Sequence, residues 1–211
     1  MRRLRVPYAV YPQFGPRILG KTPHITPLLR FARDRLRAAA VTDIVSPGIR
    51  PIAAAEPGEI ETLLDAAFGT DRRARTAYRL REGVAPIAAL SFAAFADGKL
   101  VGTLQSWPIE LRDAAGTTPL ILVGPVAVHP DLQRHGIGHA LMSALLNATE
   151  ATPTPTMMLI GDAPYYGRFG FSASPDRHWT LPGPFEPHRL LVRESAEQPL
   201  PLAGTLGPRR D

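Results

Sequence analysis

The sequence predicts an α/β (α+β) domain: a mixed, mostly antiparallel central sheet with helices on both faces. Three observations carry this. Strand and helix patterns follow one another as a strand, two helices, three strands, a helix, a strand, a helix and one or two further strands. Asp97-Gly98 joins two strand-like runs through two residues that tolerate positive φ, a strong hairpin signal. From Leu120 to Ile160 the pattern reads strand, helix, strand, which implies a parallel pair joined by a right-handed crossover.

Taken in order, residues 1–47 read as a basic, Pro-rich amino-terminal extension, expected to be flexible, with one helix over 27–41 between its prolines. Ile49-Arg50-Pro51-Ile52 reads as a short edge strand, because Pro cannot donate to a ladder. Pro57 suits a first helical turn, and Ile60, Leu63, Leu64, Ala67 and Phe68 follow at helical spacing until Gly69 ends the run. Asp71 is placed to cap a second helix carrying Ala74, Ala77, Tyr78 and Arg81. Residues 89–96 and 99–109 are the hairpin strands, and 119–128 is a mostly continuous apolar run suited to the centre of a sheet. Over 137–149, Ile137, Leu141, Ala144, Leu145 and Ala148 line one side of an amphipathic helix. A buried strand over 156–160, a brief helix over 164–169, a strand after Gly170-Phe171 and a last strand over 190–194 complete the pattern. The domain therefore spans 48–197, and 198–211 reads as an irregular tail rich in Pro, Gly and Leu.

Composition narrows the chemistry. Of 211 residues, 45% are hydrophobic and 20% charged, the balance of an ordinary globular protein. There is no Cys, which excludes disulfides, thiolate nucleophiles and sulfur-based zinc sites and fits a reducing, cytoplasmic setting. No apolar run approaches the ~20 residues that span a bilayer, so a membrane is not an expected partner. Residues 1–50 carry ten cations against Asp34 and Asp43, a surplus of eight that leaves the other 161 residues three negative. The high pI belongs to the extension. Lacking a periodic basic helix or interleaved aromatics, it does not read as a nucleic-acid arm.

The most informative stretch runs from Val126 to Ala140. A strand ends at Val128, a loop carries Gln133, Arg134 and His135, and a helix begins around Gly136-Ile137-Gly138. The first N–H groups of a helix have no internal partner and carry the positive end of its dipole, so this turn can bind an anion. Glycines there let the backbone approach a phosphate, and Arg134 adds a charge. Just before it, Gly124-Pro125 interrupts the strand. Pro125 removes a ladder donor, so a bulge or a splay is expected.

Gln133-x-x-Gly136-x-Gly138, preceded by Val126-x-Val128, resembles the acetyl-CoA-binding motif of the GNAT superfamily of N-acetyltransferases. Tyr165-Tyr166-Gly167-Arg168-Phe169-Gly170-Phe171 resembles that family's second signature, an aromatic helix ending in Gly-Phe. Together they are most similar to small bacterial acetyltransferases with Gly-Pro in the fourth strand. The likeness covers about 49–194. It implies acetyl-CoA as co-substrate, with main-chain N–H groups of residues 133–138, Ile137 among them, on the pyrophosphate. It also implies that Val126, Ala127 and Val128 run beside the pantetheine arm and that an N–H near Val126 is the oxyanion donor. His135 and His139, four apart, lack a third metal ligand and match cofactor-loop positions instead; no metal is expected.

Acetyl transfer to an amine needs a neutral amine, a stabilised thioester oxygen and a proton for the departing thiolate. Tyr166, four residues before Gly170, is the candidate acid. The strand glutamate that many relatives use as base is missing, and so is the asparagine ahead of the tyrosine helix. Glu110, His129 and Asp162 stand as base candidates beside a water-mediated route, although Asp162 also reads as the cap of the tyrosine helix. The acceptor, a small-molecule or peptide amine, is not legible, and a homodimer is compatible with the pattern. The competing reading is a non-catalytic acyl-CoA-binding regulatory module.

Overall fold

In the computed structural model, residues 47–150 and 155–210 are described. The amino-terminal extension, with its expected helix over 27–41, lies outside them. Among the described residues nine strands form one sheet. In chain order they are β1 (Gly48–Pro51), β2 (Phe92–Ala96), β3 (Lys99–Arg112), β4 (Thr117–Val128), β5 (Met157–Ile160), β6 (Ser172–Ala173), β7 (His178–Thr180), β8 (Leu190–Arg193) and β9 (Ala203–Pro208). They lie in the order β1-β2-β3-β4-β5-β8-β6, with β9 on β3 and β7 on β9. Only β4 with β5 and β7 with β9 are parallel; every other pairing is antiparallel.

Helix α1 (Pro57–Phe68) begins in a capping box, with Pro57 in its first turn and Glu59 reaching back to the Glu56 N–H. It ends at Gly69, whose φ of 83° lets its N–H close on the Asp65 carbonyl. Helix α3 (Ile137–Thr149) carries Ile137, Leu141, Met142 and Leu145 into the core beside Val101, Leu104, Ile121 and Val123. α1 packs on the other face, where Ile60, Leu63 and Leu64 meet Ala93 and Ala127. Neighbours Ala93 and Ala94 face opposite cores, as the period of two in a strand requires. A third core joins Leu120 and Leu122 to Leu80, Ile109, Met158 and Trp179, opposite the Ile121–Val123 face. The hairpin forms as read, with φ of 49° at Asp97 and 74° at Gly98.

Three expectations are corrected. The second helix capped by Asp71 is a 3-10 turn over Thr70–Ala74 followed by α2 (Thr76–Arg79), with Gly69 and Arg75 at the N-caps. In one continuous helix Arg72 would lie about 200° from the Ala74 face. Instead Arg72 is only 1% exposed and binds Glu61 and Asp65 of α1, so the chain bends to bury it. Leu190–Arg193 is not the last strand, and the tail is not irregular. β3 has 14 residues against five in β2, which leaves its Ile109–Arg112 edge open. An unpaired edge demands backbone partners, and β9 supplies them, burying Leu206 to 2% exposure. The ordered domain therefore runs past 197 to Pro208. Finally, Asp162 precedes α4 (Ala163–Tyr166) but makes no side-chain cap; its carbonyl receives the Tyr165 and Tyr166 N–H groups.

Leu206→Ala is expected to cost about 2–5 kcal/mol, the range for a buried Leu, measured by urea unfolding. An irregular tail would make the substitution neutral.

Candidate active site

The site starts where β4 leaves β5. The two strands pair only at Ile121↔Met157 and Leu122↔Met158. Beyond that point β5 stays on β8, while β4 continues to Val128 paired with β3 only. Gly124-Pro125 causes a register break against β3: Val123 faces Ser106, Val126 faces Leu104, and two β4 residues oppose Gln105. Both outcomes expected of that dipeptide, a bulge and a splay, are present. Past the bulge, the His129 N–H donates to the Val101 carbonyl (2.9 Å). With Val128 opposite Gly102, the antiparallel alternation turns the main-chain groups of Val126 and Val128 away from β3, toward the gap. The Ala127 side chain is buried toward α1, whereas Val126 and Val128 pack toward α3.

The turn into α3 lies at the end of this open edge. Pro130–Leu132 form a 3-10 turn; Arg134 (φ 69°) and Gly136 (φ 80°) adopt left-handed conformations that reverse the chain into the helix. Gln133, Arg134, His135 and Gly136 are exposed, and His135 Nδ1 lies 3.0 Å from the Gln133 carbonyl. A β-carbon on Gly136 would meet no atom within 4 Å, so the space over the helix start is open. Open N–H groups and a bare glycine suit an oxygen-rich anion such as a pyrophosphate. Gly138 has another role: a β-carbon there would come within 2.6 Å of the Tyr165 hydroxyl. His139 lies on Phe169 (5.2 Å) and near Ser143 Oγ (3.4 Å), so packing accounts for it.

The aromatic segment fills the other side of the gap. Tyr165 and Tyr166 meet edge-on at 4.9 Å, Tyr165 reaches Phe169, and Tyr166 reaches Phe171. The Tyr166 ring lies so close over Gly161, at the end of β5, that no β-carbon fits between them. Tyr165 therefore belongs to the α3 side of the gap and Tyr166 to the β5 side. The sequence offers no signal for the Tyr165–Gly138 contact beyond the small residue at 138.

The three base candidates separate. Glu110 is bound to Arg112 and lies six residues along β3 from Leu104, roughly 20 Å from the open edge. His129 accepts the Asp131 N–H (3.4 Å) and lines a groove with Gly58, Thr62 and Lys99, beyond the end of β4. Asp162 is exposed and follows Gly161, in the same turn as Tyr166.

A cation sits on the far face of the bulge. Arg81, 7% exposed, donates to the Gly124 carbonyl (3.3 Å) and stacks on Tyr78 (3.8 Å) and Trp107 (4.4 Å). Burial pushes its pKa below the usual arginine value. Beside it, Arg72 binds Glu61 (2.6 Å), Asp65 (2.7 Å) and the Tyr78 hydroxyl. Burial alone would raise Glu61, but hydrogen bonds from Arg72 and Arg73 outweigh it and hold the carboxyl below its ordinary range. Sequence reading placed Arg81 on a helix face and missed this contact. The available signal was the bulge, whose carbonyl needs a donor.

These features define an acyltransferase fold whose parted strands open beside a helix start. The model of the GNAT acetyltransferase domain matches residues 48–174, and the chain belongs to that family. It is 28% identical over 150 residues to an uncharacterized N-acetyltransferase, YjhQ, of Escherichia coli K12, covering 69% of this chain and 81% of that protein. It is 27% identical over 139 residues to an uncharacterized N-acetyltransferase of Streptomyces avermitilis, covering 64% of this chain and 33% of the relative. Among solved structures, the GNAT family N-acetyltransferase YhbS of Escherichia coli, determined in complex with CoA, aligns at a TM-score of 0.58 and 23% identity. That alignment covers 78% of this chain and 90% of YhbS, and it supports the fold. Among the described residues no helix is long and apolar enough to cross a membrane.

Gly161→Ala is expected to drive the Tyr166 ring off its seat and to cost about 1–3 kcal/mol. Thermal and urea unfolding measure the loss, and unchanged stability would show that the ring moves freely.

Proposed function

We propose that this chain transfers the acetyl group of acetyl-CoA to a primary amine, in the gap between β4 and β5. The carrying observation is the open β4 edge running from Val126 to Val128 straight into the turn at Gly136. Such an edge offers main-chain bonds to an amide-bearing pantetheine arm, and the turn offers N–H groups of residues 134–138 to the pyrophosphate, the expected Gln133 N–H being taken instead by the Pro130 carbonyl. Bound there, acetyl-CoA supplies the thioester carbonyl. The Val126 N–H faces the gap and stabilises the charge that develops on that oxygen. Tyr166, held by Gly161 and Phe171 on the opposite bank, protonates the leaving sulfur. Asp162, in the same turn, is the candidate nearest in sequence for taking the amine proton through water. Cytoplasmic placement belongs to the same reading.

Gly136→Val is expected to block the turn. A β-branched residue resists the left-handed conformation and its side chain enters the open space. CoA affinity should fall about tenfold or more, the equivalent of losing one charge-assisted hydrogen bond, by calorimetry, with the circular dichroism spectrum unchanged. Undiminished affinity would remove the cofactor assignment. Tyr166→Phe should lower kcat by about a hundredfold, within the usual range for a general acid, and leave CoA affinity nearly unchanged. Equal loss in both would make Tyr166 a packing residue. CoA binding without thiol release on any amine of a broad panel would instead favour the regulatory module.

A further inference from the structure

Resting on the acetyl-transfer reading, we propose that the acceptor is a small amine carrying a carboxylate, and that Arg81 binds the carboxylate.

Arg81 is the unusual group. A guanidinium stays charged at any physiological pH, and burying a charge without a counterion is costly. Arg81 is 7% exposed, yet no carboxylate lies within ion-pair distance of it among the described residues. The acids of α1 make their direct ion pairs elsewhere, Glu61 with Arg72 and Arg73 and Asp65 with Arg72, so Glu61 reaches Arg81 only through its field. Its neutral partners are one carbonyl and the Tyr78 and Trp107 side chains, Tyr78 acting through its hydroxyl as well as its ring. The rings stack on its plane, so a further polar partner must approach the edge, where a planar carboxylate fits bidentately.

Two neighbours point the same way. The indole Nε1 of Trp107, whose ring stacks on Arg81, is buried with no hydrogen-bond partner. Arg210 brings a second guanidinium to within 3.6 Å of the place a β-carbon on Gly83 would take, two residues from Arg81. Positive charge at Arg81 disfavours polyamines and other polycationic acceptors.

Position decides the ligand's role. Arg81 holds the Gly124 carbonyl, two residues before Val126, and two residues of strand span about 7 Å. Arg81 also comes from the face opposite α3: Leu80 packs with Leu120 and Leu122, while α3 covers Val123. A carboxylate held there places an amine a few bonds away at the thioester, from the side the CoA arm does not use. That length suits a compact amino acid.

The test uses the full chain and two independent readouts. Tryptophan fluorescence follows titration with N-acetylglycine and N-acetyl-β-alanine, the expected product type, against their carboxamides. Acetyl transfer is measured in parallel with glycine and β-alanine against glycinamide and β-alaninamide. The carboxylates should bind about tenfold tighter than the amides or better, as one charge-assisted contact implies. Arg81→Gln should erase that difference while calorimetry shows CoA affinity unchanged; Arg81→Lys, the fallback where Gln impairs folding, should retain only part of it. Equal binding of acid and amide, or a preference that survives Arg81→Gln, would overturn the proposal. Loss of CoA affinity in step with acid affinity would also overturn it, by making Arg81 a support for the bulge alone. Absence of CoA binding and of transfer to every amine would sink the acetyl-transfer reading itself. The acid–amide comparison by fluorescence does not depend on turnover.

Discussion

Everything distinctive in this domain depends on one constraint: β4 cannot stay paired on both sides along its whole length. Its lower half is a buried parallel strand locked to β5 at Ile121 and Leu122. At Gly124-Pro125 the register breaks, and the upper half keeps only β3. Unpaired main-chain groups inside a sheet are costly unless something satisfies them. The gap therefore favours an extended, amide-bearing ligand lying where a strand would lie. On the proposed reading, the turn at Gly136 meets that ligand's anionic end.

The bulge also faces two ways. Toward α3 it opens the edge that runs to the cofactor turn. Toward α2 it presents the Gly124 carbonyl, which a buried arginine takes. On the proposed reading, one irregularity in one strand organises both approaches to a single reaction point. The aromatic segment completes the frame, because Tyr165 rests on the helix start while Tyr166 rests on the end of β5.

Much of this was legible in the residues. Hairpin, crossover, amphipathic helix and broken strand all carry local signals, since turn chemistry and periodicity act over a few positions. The proposed cofactor turn draws on the same kind of signal: strand, loop and helix start are contiguous. What escaped was non-local. The segment after Asp71 reads as one helix until Arg72 is seen to reach α1, and Arg81 reads only as part of that helix until it is seen beside Gly124. The tail looks structureless because its strand is short and Gly-rich; its reason to be a strand lies in the bare edge of β3. Contacts of this kind are set by what another element lacks, and no local pattern announces that.

The closing of that edge has a consequence for how the chain is made. Ile109 pairs with Pro208, nearly a hundred residues later. During synthesis the hairpin and the β3–β4 ladder can form early, but the outer half of β3 must wait for the final strand to emerge. Until then a twisted apolar edge, with Ile109 and Leu111 behind it, stands open to any passing strand. A chain that stalls or is clipped after β8 would retain the whole cofactor turn, yet it would carry a sticky edge in place of a finished sheet.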